Sequence, residues 1–286
     1  MKKPAASDLL VSMYEEHLSA LKAAPKGAAA GLSTGLSKFD ELVGGLRGAV
    51  AIASPPGGGK TSLALNLAMR LLAAGESRVM FVSPELPRNA LLDRLMANVS
   101  GLRLHDIRRG AAADPKHSAD IATWTKFVTD HGERLVLRAR GEPMAFAELK
   151  DRVVDLKDGA DCRVLAVIDG LQTYADCCRV AGEPEKDSLD RVVAEVVDGW
   201  ADPQVVSLLL SHMPKGAFGR HGQGVFSGSA RIEYRVDMSI VLEPAEERAG
   251  KERYPVAVHV TKNWHGPIGA VRLSFDASRC RFTDGK

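Results

Sequence analysis

The 286-residue chain is 45% hydrophobic and 26% charged, enough apolar material for a large core, which excludes a disordered chain or a disulfide-stapled miniature. Its 38 basic and 36 acidic residues nearly cancel, so any nucleic-acid contact must come from local charge rather than from an overall basic surface. Cys162, Cys177, Cys178 and Cys280 form no C-x-x-C pair, which suits a reducing cytoplasm better than a zinc cage or a disulfide framework.

At the amino terminus Asp8, Glu15 and Glu16 stand where a secretory signal needs an unbroken apolar run, and no window approaches 18 apolar residues. The expectation is a chain that is neither exported nor embedded in a membrane. Between residues 7 and 24, Leu10, Met13, Tyr14, Leu18 and Leu21 recur at spacings of three and four, with Ser7 as N-cap and Pro25 as stop, predicting one amphipathic helix. Residues 25–37 are small and poor in large side chains, as in a linker. Such a helix either folds back on its own domain or packs on a neighbouring copy. The predicted division is a helix and linker over residues 1–30 and one domain over 31–286.

From Gly48 onward, short apolar runs at 49–54, 79–83, 135–137, 164–168 and 205–210 alternate with helical patterns. Unbroken apolar strands between helices predict an α/β fold with a mostly parallel central sheet covered by helices on both faces. After Arg235 the runs at 238–242, 256–260 and 270–275 leave no room for crossover helices, predicting a β-rich, largely antiparallel C-terminal extension.

The first of these strands leads into a glycine-rich loop and a helix opening at Lys60. That order marks a phosphate-binding P-loop: the backbone N–H groups of Gly57, Gly58, Gly59, Lys60 and Thr61 point at phosphate oxygens, and the helix dipole favours the anion. Lys60 is expected to reach the β- and γ-phosphates of ATP and Thr61 to bind Mg²⁺, with Ser62 continuing the cradle. Ser54 occupies the place where the pattern opens with glycine.

A P-loop needs an acidic residue at the end of another strand for the metal, and the run 164–168 delivers Asp169. The strand at 79–83 leads into Pro84 and Glu85, putting a carboxylate at the C-terminal sheet edge, where it could orient and deprotonate a water. The fifth strand ends in Ser211 and His212, candidate sensors of the γ-phosphate. Residues 213–231 follow, with Lys215, Arg220 and Arg231, no acidic residue, five glycines, Phe218 and Phe226. Such a loop can neutralise a polyphosphate strand while its aromatic rings stack on bases; the alternative is an ordinary flexible surface loop.

Taken in order, the P-loop, Ser83-Pro84-Glu85-Leu86, Asp169-Gly170-Leu171-Gln172 and Ser211-His212 resemble the RecA-like motor domain of DnaB-type replicative helicases, superfamily 4, over roughly residues 31–282. The segment Lys262-Asn263-Trp264-His265-Gly266-Pro267-Ile268-Gly269, and Ile232-Glu233 with Asp237, are similar to further motifs of that group. The resemblance implies a P-loop ATPase that assembles as a ring, expected to be a hexamer, and moves on single-stranded DNA, with a loader or other replication proteins as further partners and no membrane. ATP would lie between subunits, with Lys262 contributed by the neighbour. The family's arginine finger position holds Trp264, so Lys262 acts alone, Arg272 substitutes, or hydrolysis is slow. Set against the resemblance, the expected counterpart of the family's N-terminal region is the helix at 7–24 alone, which resembles the family's linker helix, without the primase-interacting domain. The rival readings are a RecA-, KaiC- or RadA-like ATPase acting as a regulatory or recombination-type DNA-binding switch without helicase activity, and a nucleotide-binding, hydrolysis-poor DNA-binding or replisome-assembly protein.

Overall fold

The computed structural model describes residues 31–75, 77–157, 162–214, 216–217, 219, 224–228, 231–248 and 250–285, together with 10, 11, 14, 15, 18 and 19. Most of the predicted helix at 7–24, the linker at 25–30, and Lys215, Phe218 and Arg220 lie outside the described residues.

Nine strands form one sheet in the order β3-β2-β4-β5-β1-β6-β7-β8-β9. They are β1 (Ala49–Ser54), β2 (Ser77–Ser83), β3 (Leu135–Ala139), β4 (Arg163–Asp169), β5 (Val205–His212), β6 (Met238–Pro244), β7 (Arg253–Asn263), β8 (Gly269–Asp276) and β9 (Arg281–Asp284). The first six pair in parallel and the last three antiparallel. The central strands read as continuous apolar runs because alternate side chains enter two different cores. Val50 and Ile52 of β1, with Leu165 and Val167 of β4, join one core, whereas Ala49, Ala51 and Ala53, with Ala166 and Ile168, join the other. Helices α1 (Ser37–Val43), α2 (Lys60–Ala74) and α3 (Arg88–Ser100) contribute to the first core. To the second, α4 (Phe146–Lys157), α5 (Leu171–Cys177) and α6 (Glu185–Gly199) contribute. Among the described residues no helix is long and apolar enough to cross a membrane.

Two expectations need correction. The run at 238–242 joins the two parts of the sheet rather than lying wholly in the antiparallel extension: β6 pairs in parallel with β1, Val50 standing opposite Met238, and antiparallel with β7. The crossover it needs is supplied by residues 213–237, which end in the short helix α7 (Arg231–Arg235). The stretch expected as a linker over residues 25–37 is folded from residue 31 onward: Leu32 and Leu36 are only 4% and 1% exposed. Leu32 also forms a backbone bridge with Leu46, and the Asp40 carboxylate accepts from the amides of Thr34 and Gly35. Two buried leucines and the Asp40 carboxylate, with Arg70 donating to Gly35 O, hold a stretch that composition alone marks as loose.

The C-terminal strands support the P-loop from behind. Phe282 is fully buried and stacks on Phe275 with centroids 4.3 Å apart. Asn66 Oδ1 on α2 accepts from Phe282 N at 3.2 Å and from Asn98 Nδ2 at 3.1 Å. Gly59 sits directly above: its φ is +94°, and a Cβ there would lie 3.0 Å from the Phe282 ring. Only glycine satisfies both the left-handed backbone and that close approach. Truncating Phe282 to Ala leaves a void between α2 and β9, and we expect Phe282→Ala to lower unfolding free energy by about 3–5 kcal/mol, measured by urea denaturation.

Candidate active site

The P-loop connects the C-terminal end of β1 to the first turn of α2, and the ends of β2, β4 and β5 reach the same sheet edge. A cleft of about 360 Å³ opens there, lined by residues 56–62, Glu85, Arg94, Asp169, Gly170, His212, Tyr254, Phe275 and Ala277. Of the expected site residues, Gly57, Gly58, Gly59, Lys60, Thr61, Ser62, Glu85, Asp169 and His212 all line this cleft. Sequence reasoning does not find Arg94, Tyr254, Phe275 and Ala277. Arg94 lies mid-helix on α3 and the others on or beside the late strands, with no motif spacing to single them out.

Ser54 is fully buried beneath the loop. Lys60 Nζ donates to Ser54 O at 3.2 Å and to Ser54 Oγ at 3.1 Å, so the serine at the opening position supplies the lysine with an acceptor. A Cβ on Gly58 would fall 2.6 Å from that same Oγ, so glycine at 58 makes room for the serine. Burial lowers the Lys60 pKa from the usual lysine value, opposed by the carboxylates of Asp169 and Glu85.

Asp169 closes the floor of the cleft. Its Oδ1 accepts from Thr61 Oγ1 at 2.7 Å and its Oδ2 from Ser83 Oγ at 2.8 Å. Desolvation of this carboxyl, 2% exposed, raises its pKa to about 6, against the two hydroxyl bonds that favour the charged form. A threonine hydroxyl and a carboxylate beside a glycine cradle form a hard-oxygen donor set of the kind that takes Mg²⁺ together with phosphate; the residues present fit that ion.

Glu85 Oε1 accepts from His212 Nε2 at 2.9 Å and from Thr173 Oγ1 at 3.2 Å. The His212 bond, ahead of an opposing contribution from burial, lowers the Glu85 pKa from the usual carboxylate value. Ser211 is placed differently from its neighbour: it is fully buried and takes a 2.7 Å bond from Gln172 Nε2. Gln172 also donates to Ser227 O at 2.8 Å and accepts from His212 N at 3.2 Å, joining the ends of β4 and β5 to the far part of the basic segment.

The basic segment is more anchored than its composition suggests. Phe226, expected to stack on bases, is 3% exposed and packs in the second core with Met213, Ala217 and Val225, so it cannot stack on bases in this conformation. Arg231 pairs with Asp190 at 3.3 Å. Lys262 lies outside the cleft of its own chain. Its Nζ donates to the carbonyls of Glu233 (2.7 Å), Tyr234 (3.2 Å) and Val236 (2.6 Å) and sits 4.3 Å from the centroid of the Trp264 ring. Trp264 itself is 64% exposed.

Residues 31–284 match the family model described as DnaB-like helicase C terminal domain. The replicative DNA helicase DnaB of Leifsonia xyli subsp. xyli (strain CTCB07) is 25% identical over 270 residues, covering 90% of this chain and 57% of the relative. A probable plasmid replicative DNA helicase of Chlamydia psittaci is 33% identical over 260 residues, covering 88% and 55%. The chain thus spans about half the length of the curated relatives it matches. Among solved structures, one described as an ATPase domain superposes with a TM-score of 0.80 at 20% identity over the whole of both chains. A DnaB-like replicative helicase described with its primase interactions gives 0.77 at 20% identity, covering all of this chain and 68% of the other. The fold is that of a RecA-like ATPase domain.

The buried Asp169 charge generates a test. The folded pKa of about 6 lies above the unfolded value, so this group's contribution to stability is fully present below the unfolded pKa and is lost as pH rises through about 6. Asp169→Asn keeps polar partners for both hydroxyls without the charge. In nucleotide-free protein we expect Asn to stabilise by roughly 2–3 kcal/mol at pH 8 and by much less at pH 5, read from denaturation midpoints at the two pH values.

Proposed function

The chain belongs to the DnaB-like helicase C terminal domain family, and from that premise we propose that it is an ATP-hydrolysing motor that assembles as a hexameric ring in the cytoplasm and moves on single-stranded DNA. The observation carrying this reading is the convergence, on one sheet edge, of a P-loop, the Thr61–Asp169 pair and a Glu85–His212 pair whose histidine is the last residue of β5, directly before the basic segment. A nucleotide cleft and a candidate DNA element therefore share a strand end.

In this reading the amides of residues 57–61 hold the phosphates of ATP, and Lys60 exchanges Ser54 for the β- and γ-phosphate oxygens. Thr61 and Asp169 would hold Mg²⁺, which neutralises charge developing on the phosphate oxygens. Glu85 takes the proton of a water that attacks the γ-phosphorus; the bond to the β–γ bridging oxygen breaks and ADP leaves with its electron pair. His212 exchanges Glu85 for the γ-phosphate and reports its presence to residues 213–231, where Lys215, Arg220 and Arg231 would contact the DNA backbone. Lys262 of a neighbouring copy would complete the site. A loader or other replication proteins would act on the assembled ring.

The test is ATP turnover by the full chain with and without single-stranded DNA. We expect several-fold stimulation by DNA and a loss of at least about 100-fold in Lys60→Ala, which removes the phosphate-binding ammonium. Equal rates with and without DNA, at unaltered Lys60 dependence, would reduce the assignment to an ATPase without the motor.

A further inference from the structure

Resting on the reading of Glu85 as the base, we infer that Thr173 is its positioning residue, fixing one carboxylate oxygen so that the other faces the cleft. Both described hydrogen bonds to Glu85 fall on Oε1, from Thr173 Oγ1 and His212 Nε2. Among the described residues no hydrogen bond engages Oε2. A carboxylate tethered through one oxygen has its plane set while its second oxygen remains available to accept a proton, which is what a general base requires.

The two tethers belong to different parts of the molecule. His212 ends β5 and continues into residues 213–231, and its ring is the group that has to leave Glu85 to touch a phosphate. Thr173 is the third residue of α5, which starts directly after Asp169 and Gly170 and packs on the sheet through the fully buried Leu171 and Tyr174. Tyr174 Oη additionally donates to Met144 O at 3.0 Å. The Thr173 hydroxyl is therefore fixed to the rigid side of the site.

Gly170 completes the arrangement. With φ of +94°, a Cβ at this position would lie 2.3 Å from Glu85 Oε1 and 2.5 Å from its Cδ, so the carboxylate rests directly on the glycine backbone. The Thr173 bond, at 3.2 Å, is long for a hydroxyl donor, and the glycine contact restricts the rotation that would break it. When His212 withdraws, Glu85 keeps its orientation through Thr173 and Gly170.

The experiment compares steady-state ATP hydrolysis by the full chain, in the presence of single-stranded DNA, for the parent, Thr173→Val, Thr173→Ser, Glu85→Gln and the Thr173→Val/Glu85→Gln double variant, with melting temperature and affinity for a fluorescent ATP analogue as controls. We expect Thr173→Val to lower kcat about tenfold, a part of the roughly 10²–10⁴-fold a general base supplies, with KM within twofold of the parent. Thr173→Ser, which restores the hydroxyl, should recover at least half of the parental kcat, and in the Glu85→Gln background the valine should cost less than a further twofold. Thr173→Ala carries the same expectation if valine impairs folding. A parental kcat in both Thr173→Val and Thr173→Ala, or an equal tenfold loss with and without Glu85, overturns the positioning role while leaving the base assignment intact. A parental rate in Glu85→Gln overturns the base assignment itself.

Discussion

The site depends on a carboxylate that is buried at a strand end and, among the described residues, accepts its hydrogen bonds from two hydroxyl groups. Asp169 receives Thr61 from the helix that follows the P-loop and Ser83 from the end of β2, so one side chain joins three separate elements. Removing a carboxylate from water disfavours its charge, and Glu85 nearby adds to the penalty, while Lys60 and the two hydroxyls oppose it. The cleft is thus held in an electrostatic state that costs stability. Natural proteins accept such costs where binding needs them, and an oxygen donor set arranged in advance avoids reorganisation when charge arrives.

From this fixed point the geometry runs toward the basic segment through side chains that each contact two elements. Gln172, just past Asp169 at the start of α5, bonds to Ser211, to His212 and to Ser227. Glu233 Oε1 accepts from the amides of Gly224 and Val225, and Asp237 Oδ2 accepts from Ala49 N, the first amide of β1, at 2.7 Å. Gly48, whose Cβ would fall 2.1 Å from that oxygen, is there for the carboxylate to pass. The acidic residues resembling a family motif in this stretch therefore hold the return of the segment against the sheet, and neither lines the cleft at the phosphate loop.

Most of the candidate site is readable in the sequence because phosphate chemistry leaves local marks: a strand, glycines and Lys-Thr in a fixed order, and carboxylates at the ends of apolar runs. The residues that escape are those whose role comes from tertiary placement. Thr173 looks like an ordinary helix residue, and although Gly170 falls in a family-like motif, nothing in the spacing of either shows that Glu85, beyond a different strand end, lies on them. The stack of Phe275 and Phe282 beneath Gly59 is equally invisible, because β9 is a four-residue strand whose pairing only β8 provides. Phe226 fails in the opposite direction: composition marks an aromatic ring in a glycine-rich loop as exposed, but Met213, Ala217, Val225 and Phe226 of that loop find the second core. Parallel pairing of β6 is hidden because, among the described residues between β5 and β6, the sequence offers only the five-residue helix α7 as regular structure.

Lys262 serves structure within its own chain, and its proposed role in a neighbour's cleft would draw on the same donors. An ammonium has three N–H donors, and here they meet three carbonyls at the end of α7, where the dipole of a helix end also favours a cation. Burial lowers its pKa from the usual lysine value, opposed by Asp237 and Glu233. Engaged in this way, the lysine holds down the point where the basic segment rejoins the sheet. In the proposed ring, a neighbour's γ-phosphate would compete with those carbonyls for the same donors. Taking Lys262 away would then leave three carbonyls short of a partner at the root of the segment. In that proposal, occupancy of one cleft would bear on residues 213–231 of the adjacent copy through a single exchange of hydrogen bonds, and Trp264, which brings no charge to that exchange, would leave its strength to the lysine.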